Sequence, residues 1–395
     1  MGLFSDLNTR ISDRISGREK TSAETVVEDV CKIKKGETVL IVANPETNLI
    51  AQQIYEASLK AGAKPVLMFQ NKKSIMDHAE KAVVGAIKSE PDVIFSISAN
   101  KLGKDAEGAA NPYTDADGTK YDNAFDYLLT GKKCIRAVWT PGLTLDMFER
   151  TVRIDYDELK ARCAAICKKY EDAVSVHVTS PAGTDVLVPV EGRNPFVDDG
   201  DYSKPGSGGN IPTGEVFISP VVGKPAEGIA GTEGTIVFDG SMTFSDGDAM
   251  LGTPIKVKVK NGYVGEISGG EESRRLLKDI FNAEKEALLM EVSGKLPKGM
   301  GEAYKKNARN IGELGIGLNP AANITGNMLE DEKAFRTCHF AIGQNYDGDA
   351  PALIHFDGIV RNPTLVINYA DGSSFTLIQD GDLQLTPEDL KPRKS

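Results

Sequence analysis

The sequence predicts an α/β N-terminal domain with a mainly parallel sheet, followed by an α+β C-terminal domain rich in antiparallel strands. Three observations predict it. From residue 37 to Tyr170, apolar runs alternate with helical patterns. After Tyr170 the texture changes to short alternating strands dense with turns, continuing through residue 265. A chain of 395 residues is also long for one ordinary core, so two domains are expected, divided as 1–175 and 176–395.

The first domain opens with ETVLIVANP (37–45), then a helix with Ile50, Ile54 and Ala57 on one face. AKPVLMFQ (63–70), a further helical stretch, DVIFSIS (92–98) and KCIRAVWTP (133–141) follow. Short β-rich runs separated by helices imply a parallel sheet with helices packed on it. No GxGxxG or GxxxxGK[ST] follows any of these strands, so no phosphate-cradling loop is expected and a scaffold or substrate-shaping role is. Asp115-Ala116-Asp117-Gly118 lacks the remaining oxygen ligands of a calcium loop and is expected to be a polar turn. In DYDELKARCAAICKKY (155–170), Asp155 and Glu158 make a capping-box-like start, and Leu159, Cys163, Ile166, Cys167 and Tyr170 share one helical face.

The second domain begins with VSVHVTSPAGTDVLVPVEGRNPF (174–196) and the Gly-rich DYSKPGSGGNIPTG (201–214). One long helix is expected over SRRLLKDIFNAEKEALLMEV (273–292), and the tail after Leu385 is expected to be solvated.

The formal net charge of -11, with no basic cluster, argues against a nucleic-acid partner. MGLFSDLNTR has no long apolar run, and Asp6 stands where a myristoylation pattern needs Ser or Thr. No membrane partner and a cytoplasmic location are therefore expected. Five Cys, an odd and low count, do not suggest a disulfide framework; Cys163 and Cys167 are expected to be core residues.

Two of the four His of the chain fall inside TCHFAIGQNYDGDAPALIHFDGIV (337–360). His355 and Asp357 stand at i and i+2, so on a strand both point to one face and form a compact N,O ligand pair. Glu215 in NIPTGEVFISP and Glu313 in NIGELGIGLNP are carboxylates among apolar neighbours, with no Arg or Lys immediately beside them. A buried carboxylate needs a counter-charge or a metal. Taken singly, each Glu would point from a strand into solvent, and His339 or His355 would be a hydrogen-bonded core residue. Taken together, imidazole and carboxylate suit zinc, cobalt, manganese or iron(II), whereas calcium and magnesium prefer oxygen alone. Two Glu, one Asp and two His exceed what one four-coordinate catalytic ion needs, and a pair of ions sharing a carboxylate uses the surplus. His78 is expected on a solvated helical face and His177 as a packed strand residue.

NIPTGEVF, GELGIGLNP, DEKAFRTCHFAIGQNY and HFD resemble, in the same order, the aminopeptidase T family, which includes the aminopeptidases S. That resemblance is dense from Pro181 to Ile367. It implies a homodimeric metallo-aminopeptidase that uses two divalent ions, zinc or cobalt with manganese as an option, to activate water against peptides with a free N-terminus. Its metal ligands carry over onto Glu215, Glu313, His339, Tyr346, His355 and Asp357, with Glu215, Glu313 and Tyr346 as catalytic candidates. GEVFISP and Phe335-Arg336-Thr337-Cys338 depart from the family's pattern, and both bear on pocket shape. The alternative is a mononuclear non-haem iron(II) ring-cleaving dioxygenase of the 2,5-dihydroxypyridine type, distantly similar to that family. His339, His355 and Asp357 would then form a facial triad, leaving Glu215 and Glu313 unassigned.

Overall fold

The structure, a computed structural model, describes residues 19–74 and 77–391. The reading of the first ten residues, and that of the last four, lies outside them. The chain divides into two compact units, one of residues 1–153 with 201–211 and one of 154–200 with 212–395. The expected division at 175/176 falls inside the strand Ala173–Thr179. The helix Tyr156–Lys169 belongs to the second unit, while the Gly-rich stretch after Gly200 belongs to the first.

In the first unit β1 (Thr38–Ala43), β2 (Lys64–Phe69), β3 (Val93–Ile97) and β4 (Arg136–Trp139) pair in parallel in the order β4-β3-β1-β2. The strand Gly208–Asn210 adds itself in parallel beside β4. β3 is buried along its whole length, as a central strand of a parallel sheet is expected to be. The helix Asn48–Lys60 buries the expected Ile50, Ile54 and Ala57. His78 lies outside the helix expected around it, which starts at Lys81; it is exposed and bridges to Lys104. Asp115 closes its turn by accepting from the backbone N–H of Asp117 and Thr119.

The second unit holds two antiparallel sheets. One has eight strands and includes Ala173–Thr179 and Thr364–Tyr369, paired to each other. His177 on it is only half-buried and meets Asp185 at 2.8 Å across the neighbouring strand. The other has seven strands and carries β5 (Phe196–Asp198), β6 (Glu215–Ile218), β7 (Ile311–Gly317), β8 (Thr337–Gly343) and β9 (His355–Arg361), in the order β9-β8-β7-β6-β5. Every residue of β7 and β8 is buried. Any polar side chain on them must therefore find a partner inside the protein.

The helix Tyr156–Lys169 is capped by Asp155, which accepts from the backbone N–H of Glu158 as its sequence predicts. Cys163 is fully buried and Cys167 half-buried, and all five thiols are free. The long helix runs over Glu271–Val292. Among the described residues no helix is long and apolar enough to cross a membrane.

Candidate metal centre

Four adjacent antiparallel strands bring together side chains far apart in sequence. β6 pairs Glu215 with Gly317 of β7, β7 pairs Gly315 with His339 of β8, and β8 pairs Gly343 with His355 of β9. Gly315 has a specific reason to lack a side chain. A Cβ there would lie 2.0 Å from His339 Nε2, so the imbalance of volume is resolved by leaving the position empty and letting the imidazole lie across the neighbouring strand. The Gly-rich sequence of β7 is a steric requirement of the ring beside it.

Glu313 is the hub of the cluster. Its Oε1 is 2.9 Å from His339 Nε2 and its Oε2 is 3.3 Å from His355 Nε2. His355 Nε2 is also 3.4 Å from Asp357 Oδ1, the same-face pairing expected from the i, i+2 spacing. Glu215 Oε2 lies 3.6 Å from His339 Nε2. Glu215, Glu313, His339 and Asp357 are buried, so neither Glu points into solvent as each would if taken singly.

Lys333, 0% exposed, places its ammonium 2.7 Å from Glu215 Oε1 and 2.5 Å from Glu332 Oε1. Asp198 Oδ2 is 3.8 Å away. The counter-charge absent from the sequence beside Glu215 thus arrives from a residue 118 positions away. Lys333 and Glu332 are the members of the site that motif reading missed. They were visible only as a Glu-Lys pair six and seven residues before His339, a pattern ordinarily found in solvent.

The electrostatics follow from burial and these contacts. Burial pushes Glu215 and Glu332 up, Lys333 pulls them back, and neighbouring carboxylates leave both raised to about 8. Burial would also raise Glu313, yet hydrogen bonds from His339 and His355 overcome it and hold the carboxyl at about 2. Burial works against charge on His339, but Glu313 and Asp357 reverse that and raise it. His355 is raised well above its usual value in the same way, Asp357 being its strongest partner.

The donor set fits a divalent metal ion. Glu215 Oε2 and Asp357 Oδ1 are buried and accept no hydrogen bond. His355 Nδ1 meets the carbonyl of Gln344 at 2.8 Å, so the proton sits on Nδ1 in the neutral ring and Nε2 presents its lone pair to the cluster. Three overlapping groups have donor atoms within 4.8 Å of one another: Glu215, Glu313 and His339; Glu313, His355 and Asp357; and Glu332, His339 and Asp357.

Tyr346 stands differently from the other expected ligands. More than half of it is exposed, at 54%. Its ring meets His355 edge-on at 5.2 Å and Phe217 at 5.0 Å, and Phe217 stacks on Phe196 at 5.3 Å. An aromatic wall therefore runs from β5 and β6 to the imidazole of His355. Desolvation, followed by the charge of Glu313 and Asp357, raises the Tyr346 phenol well above its usual value, so it remains a neutral donor. Arg193 holds the loop in place, with Nη2 donating to Asp349 at 2.7 Å and Nη1 3.5 Å from Asp347.

Fold and site together give a candidate metal site with a nitrogen and oxygen donor set on paired antiparallel strands. The family model described as NicX, 2,5-dihydroxypyridine 5,6-dioxygenase, matches residues 143–383, and the chain belongs to that family. Among solved structures it is similar to 2,5-dihydroxypyridine dioxygenase from Pseudomonas putida KT2440, with a TM-score of 0.64 and 17% identity over 94% of this chain and 100% of that one. It is also similar to wild-type AmpT from Thermus thermophilus, with a TM-score of 0.61 and 16% identity over 92% of this chain and 98% of that one. Likeness at these identities shows the fold. No curated protein matches the sequence.

These findings correct the expected activity. The motif resemblance implied a hydrolase, a metallo-aminopeptidase and protease, whereas the family is one of ring-cleaving dioxygenases, which are oxidoreductases. The expectation of two zinc or cobalt ions loses its basis with the hydrolase, and a metal-binding cluster is what remains. The relation to aminopeptidase T stands as a shared fold. The physical reason for the error is that imidazole and carboxylate serve zinc hydrolysis and iron(II) oxygen chemistry alike, so a ligand set does not choose between them.

Proposed function

We propose that this chain is a mononuclear non-haem iron(II) dioxygenase that opens a hydroxylated pyridine or a closely related planar ring. One observation carries the reading: the segment matched by the dioxygenase family model, residues 143–383, contains the whole His and carboxylate cluster and the aromatic wall beside it. His339, His355 and Asp357 would hold the ion together with Glu313, the carboxylate that joins the two His: Glu313, His355 and Asp357 converge as one donor group, and His339 Nε2 lies 2.9 Å from Glu313 Oε1. Iron(II) bound there would supply the redox chemistry with dioxygen needed for ring cleavage.

The chain's own residues do the rest. Phe217 and Tyr346 offer faces and edges on which a flat ring can stack, an arrangement suited to aromatic rather than peptide substrates. The Tyr346 phenol is a neutral hydrogen-bond donor beside His355 and can orient a ring oxygen. Lys333 sits between Glu215 and Glu332 and offsets one of their negative charges, which lowers the surplus around a single divalent ion.

The test is oxygen uptake by protein loaded anaerobically with iron(II) and given 2,5-dihydroxypyridine. The expected result is one O2 consumed per ring lost, followed by the fall of aromatic absorbance, at about one iron per chain. Absence of O2 consumption with hydroxylated pyridines and benzenes, accompanied by hydrolysis of aminoacyl amides, would overturn the reading.

A further inference from the structure

The first unit carries a cavity of about 340 Å³ with no part in the metal centre. It is lined by Ser96 and Ser98 at the carboxyl end of β3, by Trp139 at the end of β4, and by Phe125, Lys101 and Lys104. In open parallel sheets the carboxyl ends of the strands are where ligands bind, next to the point at which strand order reverses. Here β2-β1-β3-β4 reverses between β1 and β3, and the cavity stands over the ends of β3 and β4, beside that point.

The wall of this cavity is built rather than incidental. The loop after β3 is tethered by two buried amides: Asn44 accepts from the backbone N–H of Ala99 at 2.7 Å, and Gln70 donates to the carbonyl of Leu102 at 2.7 Å. Gly103 has φ of 98°, and a Cβ there would lie 2.5 Å from the backbone nitrogen of Ala79, so only glycine fits. The Ser96 and Ser98 hydroxyls are buried 2.9 Å apart, at a strand end where apolar residues would pack more simply. Phe125 meets Trp139 edge to face at 6.1 Å and leaves an apolar slot.

The charge is as specific as the shape. Among the described residues no carboxylate lines the cavity, although the chain as a whole carries -11. Lys101 and Lys104 are exposed, and among the described residues neither ammonium is in an ion pair. A flat ring suits the slot, the serine hydroxyls can hydrogen-bond a ring substituent, and the lysines can hold an anionic group. We infer that this cavity binds a planar aromatic carboxylate, as a site of its own in the first unit.

Trp139 is the only tryptophan of the chain, so the fluorescence of the intact protein reports on this cavity directly. The probes are pyridine-3-carboxylate and benzoate, with pyridine-3-carboxamide and benzamide as neutral counterparts. The acids are expected to change Trp139 emission saturably and to bind at least about tenfold more tightly than the amides, the scale of a charge-assisted contact. The double variant Lys101→Ala, Lys104→Ala should lose that preference with an unchanged melting midpoint, whereas Phe125→Ala should weaken acids and amides alike. Titrations repeated on chelator-treated protein and on His355→Ala should give the same affinities, which makes the outcome independent of the dioxygenase reading. Equal affinity for acids and amides, no saturable change, or loss of binding in His355→Ala would each overturn the inference.

Discussion

Lys333 holds Glu215 Oε1 at 2.7 Å with none of its own side chain exposed, while Glu215 Oε2 lies 3.6 Å from His339. One carboxylate thus divides its two oxygens between a fixed internal cation and the metal cluster. Removing one partner of a buried ion pair leaves an uncompensated charge, which costs more than the pair itself is worth.

Lys333→Met is therefore expected to destabilise the metal-free protein by about 3–5 kcal/mol, the cost of breaking a buried pair while keeping its volume. Urea denaturation followed by circular dichroism measures this. A midpoint within error of the parent would show that the carboxylates simply take up protons and need no counter-charge.

Gly315→Ala should weaken metal binding while leaving most strands intact, because the new Cβ would lie 2.0 Å from His339 Nε2 and movement of the ring is expected to relieve the clash. Competition with a chromophoric chelator should show affinity lower by at least about tenfold, as when the supports of metal ligands are disturbed. Unchanged affinity would mean that the strand yields and the ring does not.

Chelator treatment should remove activity without unfolding the chain, since each unit has its own core and the ion is not needed to form it. Near-ultraviolet circular dichroism before and after treatment decides the matter. Collapse of the spectrum on metal removal would make the centre structural.

Phe217→Ala should raise KM for a ring substrate by about two- to tenfold at unchanged iron content, the worth of one aromatic contact. Steady-state oxygen uptake over a range of ring concentrations gives the value. A fall in kcat with KM unchanged would place Phe217 outside substrate binding.

Asp105 provides a pH test away from the metal. Burial opposes its charge, but the backbone N–H groups of Gly108, Ala124 and Glu107 and the Tyr113 hydroxyl together hold its carboxyl below the usual value. Stability from a lowered carboxyl is complete above the unfolded value, about 3.9, and is lost as pH falls through the folded one. Asp105→Asn should thus be less stable than the parent near neutrality, with the gap closing below about pH 4. A gap that stays constant down to pH 2 would assign the loss to packing.

Much of the fold could be read from the sequence because its signals are local. β1 to β4 each coincide with an apolar run, and the helix Asn48–Lys60 buries the face its spacing predicts. The ligand pair His355 and Asp357 was equally legible, since alternation along a strand fixes which side chains share a face. Lys333 was not legible, because its burial is decided by Glu215 and Asp198, distant in sequence. The strand Gly208–Asn210 has only three residues, two of them glycine, and offers no periodicity to detect. The chemistry was misjudged for a different reason, namely that the motifs recorded the scaffold and donor types shared by two kinds of enzyme.

The order in which a ribosome delivers this chain has a consequence. Residues 154–200, which belong to the second unit, emerge before the strand Gly208–Asn210 that completes the parallel sheet of the first. Until that strand arrives, β4 is an unpaired edge, the kind of surface that recruits other chains. A nascent polypeptide stalled before residue 201, or a recombinant fragment ending at Arg153, would carry this open edge permanently.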